Sequence, residues 1–215
     1  MKKVLCSILP ILAIALVIAM VSGAAFAQDS ENFNVNYFSN ATVSGAPPAT
    51  LRFTEHAGTG LTDVCAMIYL YDPEQEPIAC CGCHVTQNGL QTINVNTNLL
   101  VNPMFGAGSV PNDGVLLTIA GIPTSGGPAG PKGNNDTACD PANVDTNSNV
   151  EIDTYLTHIQ NKVGTAFPIT EAGGEQTEEY LSSQELGLLE SDCTFIEGRA
   201  SGHGVCDCGA FEALK

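Results

Sequence analysis

The stretch Ala79-Cys80-Cys81-Gly82-Cys83-His84 places three cysteines within four residues, in a chain of 215 residues that has nine cysteines. The others stand far from this stretch, at Cys6, Cys65, Cys139, Cys193, Cys206 and Cys208. In an extended strand successive side chains point to opposite faces, so Cys80 and Cys81 would reach two different layers. The stretch, which we call the hub, therefore predicts a two-sided centre of disulfide bonding. We expect Cys206 or Cys208 to reach it, and Cys193 to fix a helix to the body.

The first 27 residues predict a secretory signal peptide. Lys2 and Lys3 precede an apolar run over residues 5–21, and Ala25-Phe26-Ala27 forms a small-x-small cleavage pattern. An uncleaved signal anchor is the alternative, because the run approaches membrane-spanning length. Cleavage would remove Cys6 and leave an even number of cysteines in an exported chain, which is typical of disulfide frameworks. The predicted disulfide cysteines are Cys65, Cys80, Cys81, Cys83, Cys139, Cys193, Cys206 and Cys208.

The charge of the chain restricts its partners. Seven basic residues against 23 acidic ones give a net charge of −16. Such an acidic surface is typical of a soluble exported protein, and it argues against binding to nucleic acid or to anionic membranes. We expect a secreted protein, extracellular or at the cell surface, whose partners are copies of itself.

The hub also contains the spacing at which a c-type haem is attached, Cys80-x-x-Cys83-His84. There the two thiols would bind the haem covalently and His84 would ligate the iron. The alternative function is then a monohaem electron carrier. The third cysteine, Cys81, inside the motif favours disulfides instead, and a zinc site would need reduced thiols.

Composition and patterning predict a mainly β fold, sandwich-like and stabilised by disulfides, with two packed C-terminal helices. Residues 62–71 are apolar and β-branched and predict a central strand. Residues 28–48 are expected to form an N-terminal strand and a proline hinge, and residues 49–215 a disulfide-rich β domain. Apolar spacing predicts one helix near 150–163, and the capping box Ser182-x-x-Glu185 predicts another near 183–197.

The N-terminal strand suggests a route to assembly. Phe33, Val35 and Tyr37 alternate with asparagines, and Pro47-Pro48 follows as a hinge. Such a strand either closes its own sheet or adds to the sheet of a neighbour. We therefore expect a non-enzymatic structural or adhesive protein that forms a filament by strand donation.

A second segment suggests calcium binding. Oxygen-bearing side chains recur at Asp140, Asp145, Asn147, Asn149 and Glu151. The order departs from an EF-hand, because Val150 stands where glycine is needed and Leu156 where the bidentate glutamate belongs. An Asn/Asp-rich loop with a helix cap is the competing interpretation, and no bound cofactor is the primary expectation. The long loop over residues 124–149 also allows a ligand-binding module.

Several segments share a combined pattern: Cys65-Ala-Met-Ile-Tyr-Leu-Tyr-Asp-Pro, Cys-Cys-Gly-Cys-x-Val-Thr-x-Asn-Gly-Leu at 80–90, Val95-Asn-Thr-Asn-Leu, Thr157-His-Ile-Gln160, and residues 186–193 and 202–208. This pattern resembles a group of secreted bacterial proteins of unknown function and covers most of the chain from residue 62. The position of His84 is often not histidine in that group, so the resemblance implies disulfides rather than haem. It supplies no catalytic residues.

Overall fold

A computed structural model of the chain describes residues 33–57, 63–86, 89–123, 139–145, 150–173, 175–176, 181–199, 201 and 203–208. Within these residues the chain forms nine strands and one α-helix. They are β1 (Phe33–Phe38), β2 (Thr50–Ala57), β3 (Asp63–Tyr71), β4 (Pro77–Thr86), β5 (Leu90–Asn94), β6 (Gly114–Gly121), β7 (Val150–Ile159), β8 (Ile169–Gly173), β9 (Glu175–Gln176) and α1 (Ser183–Gly198). A π-helical turn, Val95–Leu99, follows β5, and a 3-10 turn, Ala107–Ser109, precedes β6.

The strands form two antiparallel sheets. Sheet A has the order β4-β3-β6-β1-β9, and sheet B has the order β5-β2-β7-β8. The predicted central strand is confirmed, because β3 pairs with β4 on one side and β6 on the other. From Val64 to Leu70 its side chains are buried on both faces, as its apolar sequence requires.

Three layers follow from the two buried clusters. The inner core lies between the sheets and includes Leu51, Phe53 and Ile152 of sheet B with Ile68 and Leu116 of sheet A. The outer cluster lies on the opposite face of sheet A and joins it to α1 through Met67, Tyr69, Ile119, Leu189 and Ile196. Sheet A is therefore covered on both faces, by sheet B and by the helix.

The helix predicted near 150–163 is wrong, because residues 150–159 form strand β7. β7 pairs with β2 and β8, and its buried side chains include Val150, Ile152, Thr154 and Leu156 at every second position. Thr154 interrupts the apolar series, which is why the remaining apolar residues imitate a helical spacing. β-branched residues at several positions favour the strand.

The helix predicted near 183–197 is confirmed as α1. Its capping box is formed: the Ser182 hydroxyl accepts from the Glu185 backbone N–H at 3.3 Å, and the Glu185 carboxylate accepts from the Ser182 N–H at 2.8 Å. The chain thus has one packed helix among the described residues, where the sequence predicted two. No described helix is long and apolar enough to cross a bilayer.

Candidate functional site

The hub lies in β4, and its cysteines point to both faces of sheet A. Cys80 belongs to the outer cluster, whereas Cys81 and Cys83 belong to the inner core. Each of the three is at most 1% exposed. The predicted two-sided hub is confirmed, since one strand supplies sulfur atoms to both layers.

Residues 203–208, which we call the tail, run parallel to the free edge of β4. The Cys80 N–H donates to the Gly204 carbonyl at 2.8 Å, and the Cys206 N–H donates to the Cys80 carbonyl at 3.3 Å. Disulfides Cys81–Cys206 and Cys83–Cys208 then link the two segments at equal spacing, with Cα–Cα distances of 5.4 and 5.5 Å. Both tail cysteines reach the hub, so the edge of β4 is covered and covalently closed, which blocks pairing with another chain there.

The other two disulfides hold the outer layer on sheet A. Cys80–Cys193 fixes α1, as predicted, and Cys65–Cys139 fixes the segment 139–145, with Cα–Cα distances of 5.9 and 5.4 Å. The same segment is held by Tyr69, whose hydroxyl donates to the Pro141 carbonyl at 2.7 Å. The Cα–Cα distances of all four disulfides lie in the ordinary range for unstrained bonds.

Gly82 is the point where the hub is most crowded. A Cβ atom at this position would lie 1.8 Å from the carbonyl oxygen of Cys139. The backbone of the 139–145 segment therefore crosses directly over β4 between Cys81 and Cys83. This close approach accounts for the glycine in Cys-Cys-Gly-Cys.

The residues of the predicted haem motif, Cys80-x-x-Cys83-His84, do not have the arrangement that haem attachment requires. Cys80 and Cys83 are three residues apart in β4 and face opposite sides of sheet A. Their sulfur atoms are bonded to Cys193 and Cys208. His84 follows in β4 and pairs with Cys65 of β3. A haem would need both sulfurs on one side, so this geometry favours the disulfide interpretation.

The calcium candidates are only partly described. Asn147 and Asn149 lie outside the described residues, as does most of the 124–149 loop. Asp140 accepts from the Ala142 N–H at 2.9 Å in a local turn, the Asp145 carbonyl accepts from Ile122 N–H at 2.8 Å, and Glu151 is exposed on β7. Among the described residues no three carboxylates lie close enough to share an ion.

The predicted assembly strand, β1, lies in the sheet of its own chain in this structure. It pairs with β6 over six residues and with β9 over two. Phe33, Val35 and Tyr37 point to the outer face, whereas the alternating asparagines point inward. Within the predicted N-terminal segment, residues 28–48, the strand covers residues 33–38, and residues 28–32 lie outside the described residues.

The inward asparagines of β1 bond to sheet B. The Asn34 side-chain amide donates to the Ile152 carbonyl, and that of Asn36 donates to the Thr154 hydroxyl, each at 2.6 Å. Both asparagines are at most 2% exposed. Buried amides need such partners, so these contacts fix β1 against β7 in one register.

A groove lies between α1 and the outer face of sheet A. Its volume is about 510 Å³, within the usual range for small-molecule sites. One wall is α1 and the residue preceding its cap, and the other consists of strands β1, β3 and β6. The lining residues are Phe33, Tyr37, Tyr71, Gln75, Val115, Leu117, Leu181, Glu185, Leu188, Leu189 and Asp192.

Burial raises the pKa values of two tyrosines, Tyr71 in the groove and Tyr69 in the outer cluster. Desolvation raises the pKa of Tyr71, and the Asp192 carboxylate, which accepts from its hydroxyl at 3.1 Å, raises it further. Desolvation and the charge of Glu190 likewise raise the pKa of Tyr69. Both phenols therefore stay neutral and act as hydrogen-bond donors at physiological pH.

The sequence did not point to this groove. Its polar residues include Tyr71, at the end of a strand, Gln75, in the turn that follows, and Glu185 and Asp192, on a helix far along the chain. One feature that could have indicated the groove is Leu188, an exposed apolar residue next to the buried residues of α1, which are Leu189, Cys193 and Ile196. That signal becomes meaningful only when the packing of α1 on sheet A is known.

No protein-family model, curated protein or solved structure matches this chain. The resemblance to secreted bacterial proteins therefore stays a prediction, and function has to be inferred from the site itself. The four disulfides indicate that the chain folds in an oxidising environment.

Proposed function

We propose that this protein is an exported, non-enzymatic structural or adhesive protein, and that its copies assemble into a filament by donating strand β1. The observation that carries the proposal is the position of β1 relative to the covalent network. All four disulfides join residues from Cys65 to Cys208. β1 precedes them all and is held by non-covalent contacts alone.

The pairings of β1 also suit an exchange between copies. Its main partner is β6, through six residue pairs from Phe33↔Ile119 to Phe38↔Gly114. If β1 left its place, β6 would present the same hydrogen-bonding edge to the β1 of a neighbour. An identical element exchanged in this way forms the same contacts between chains, which is a low-cost route to association.

The inward asparagines support this role in two ways. Two of the three inward side chains of β1, Asn34 and Asn36, are polar, so a released strand would expose only Phe38 as apolar surface on that side. Once placed, their bonds to β7 favour a single register, as buried polar groups do in other assemblies. The outward residues Phe33 and Tyr37 would at the same time pack against the outer face of the acceptor.

The connection from β1 to β2 is partly exposed, although Ala41 and Thr42 bond to Asn112 of the body. Residues 42–45 are exposed, and Pro47-Pro48 stands before β2. Consecutive prolines prefer an extended conformation. They therefore favour an arm that projects from the body over one that folds back tightly.

Cross-linking between two different variants tests the proposal. Val35 pairs directly with Leu117 across β1 and β6, and both side chains lie on the outer face. A mixture of Val35→Cys chains and Leu117→Cys chains should form an intermolecular disulfide when β1 is donated, because paired residues bring their Cβ atoms within about 5 Å. Non-reducing electrophoresis and peptide mapping would detect it.

The matched control mixes Val35→Cys with Leu90→Cys, an exposed position in sheet B, and reports random collision. A chain carrying both Val35→Cys and Leu117→Cys should lock β1 in its own sheet and lose assembly. If the paired mixture cross-links no more than the control, and the wild type stays monomeric, strand donation is refuted.

Intact mass under non-reducing conditions separates this function from the electron-carrier alternative. The proposed protein has four disulfides and no added group. A mass increase of one haem, with the loss of the Cys80 and Cys83 disulfides, would support the alternative instead.

A further inference from the structure

We propose that the groove between α1 and sheet A binds a small organic ammonium ion with an apolar body. The proposal rests on the lining of the groove rather than on the assembly of the chain. The same residues line the groove whether β1 comes from its own chain or from a neighbour.

The first observation is charge. The groove is lined by the carboxylates of Glu185 and Asp192, and none of its described lining residues is Lys, Arg or His. The two acids are seven residues apart on α1, so they lie about 10 Å apart along the helix axis. A cation at either end of the groove would meet a negative side chain, within a chain of net charge −16.

The second observation is the apolar and aromatic character between these acids. Leu188 and Leu189 line the helical wall, and Phe33, Tyr37 and Tyr71 contribute rings on the sheet side. Tyr37 and Leu188 are 55% and 60% exposed, so an apolar ligand would remove their surfaces from water. Aromatic faces also attract organic cations.

Together these features select one class of ligand. A neutral hydrocarbon would gain no attraction from the two carboxylates, and an anionic ligand would be repelled by them. An alkyl or aryl ammonium compound satisfies both the apolar walls and the acidic ends.

A matched series of probes tests the inference. Phenylbutylammonium, phenylbutanol and phenylbutyrate share one apolar body and differ in charge. Titration calorimetry on the oxidised protein should give binding of the ammonium that is roughly tenfold tighter than that of the alcohol, with no detectable binding of the carboxylate. The preference for the ammonium should decrease as salt is raised.

Two variants assign the effect to the groove. Asp192→Asn keeps an acceptor for the Tyr71 hydroxyl but removes the charge, and it should weaken ammonium binding roughly tenfold while leaving the alcohol unchanged. Tyr37→Leu keeps an apolar side chain at an exposed position and should weaken the ammonium more than the alcohol. Glu151→Gln is the control, since it removes one exposed carboxylate from sheet B.

The inference is overturned if the alcohol binds as tightly as the ammonium, or if Asp192→Asn behaves like Glu151→Gln. Absence of cross-linking between Val35→Cys and Leu117→Cys chains, together with a monomeric wild type, would refute strand donation but leave this result unaffected. The two proposals therefore fail separately.

Discussion

The two sheets of this protein are held in different ways. Sheet A carries Cys65 on β3 and the hub on β4, so every disulfide begins in it. The strands of sheet B contain no cysteine. Sheet B is held to sheet A by the apolar inner core and by the asparagines of β1.

The difference shows what the disulfides are needed for. Sheet B contributes large buried side chains such as Leu51 and Phe53, and this burial, with the hydrogen bonds from β1, holds it without a disulfide. By contrast, α1 buries only Leu189, Cys193 and Ile196 among its described residues. A helix with so little buried surface is marginal in water, and the disulfides supply what apolar packing does not.

The largest expected effect is at the crowded point of the hub. Gly82→Ala would place a methyl group 1.8 Å from the Cys139 carbonyl oxygen. The oxygen belongs to the backbone and the methyl position is fixed by the backbone, so no side-chain rotation relieves the clash. We expect a loss of more than about 4 kcal/mol in the free energy of unfolding, and failure to form Cys65–Cys139. Disulfide mapping and thermal denaturation would measure both.

Gly187→Ala is the control for Gly82→Ala. Its added Cβ meets nothing within 4 Å, and alanine in a helix should raise stability by about 1 kcal/mol. Equal behaviour of the two variants would contradict the crowding at Gly82.

The second largest effect is expected when the two disulfides of the tail are removed, a change that leaves the contacts of sheet B in place. Removing both tail disulfides by alanine at Cys81, Cys83, Cys206 and Cys208 opens a loop of about 15 residues, because Cys80–Cys193 still closes the rest. Such a loop is worth about 3 kcal/mol. Replacing only the pair Cys83 and Cys208 should lower stability less, since Cys81–Cys206 still holds the tail.

Hydrogen exchange gives the sharper measurement for these variants. Amides of the tail and of the β4 edge should exchange faster, while those of β2 and β7 in sheet B stay protected. Equal acceleration in both sheets would show that the disulfides support the whole fold and that the two regions are not held separately.

A smaller effect is expected where sheet B meets β1. Asn36→Ala removes the donor to the Thr154 hydroxyl, which is 2% exposed, and should lower stability by about 1–2 kcal/mol. Chemical denaturation would measure it. The loss should add to that of the tail variants, since the sites are distant.

Thr42→Ala provides the comparison for Asn36→Ala, because the Thr42 hydroxyl bonds to Asn112 in an exposed position. Its effect should stay within about 0.5 kcal/mol. If Asn36→Ala is equally mild, the asparagines do not fix β1.

The sequence predicts the disulfide-bonded region, which is sheet A with α1 and the tail, better than it predicts sheet B and its contacts with β1. Cysteine spacing indicated a two-sided hub, and the capping box at Ser182 indicated α1. These signals are local, because alternation in a strand and hydrogen bonding at a cap involve neighbouring residues. The disulfide pairs themselves were left open, since partners such as Cys80 and Cys193 are 113 residues apart.

The sequence prediction fails where a buried residue is polar because it bonds to a residue far away in the chain. The helix predicted near 150–163, which is strand β7, is the example. Thr154 is buried because Asn36 bonds to it from another sheet, and this polar residue concealed the strand period of β7. Asn34 and Asn36 are likewise buried on the inner face of β1, although polar residues of an alternating strand usually face solvent. A local sequence pattern cannot reveal a hydrogen-bonded pair such as Asn36 and Thr154, because the two residues are far apart in the chain and each is buried only because the other is its partner.

The smallest effect concerns the pH dependence of the outer layer. Partial desolvation raises the pKa of Glu197, and the charge of Asp140 adds to the shift. A carboxylate oxygen of Glu197 lies 3.9 Å from the sulfur of Cys193. A raised pKa in the folded state means that the protonated form favours folding. The contribution is fully present below the unfolded pKa and is lost as pH rises through the folded one.

Glu197→Gln mimics the protonated state and tests this link. The variant should melt at a higher temperature than the wild type at neutral pH, and the difference should shrink as pH falls into the ordinary carboxyl range. Glu151→Gln, on the exposed face of sheet B, is the control for the removal of one carboxylate. A flat difference for Glu197→Gln would mean that this carboxylate is fully solvated in the folded protein.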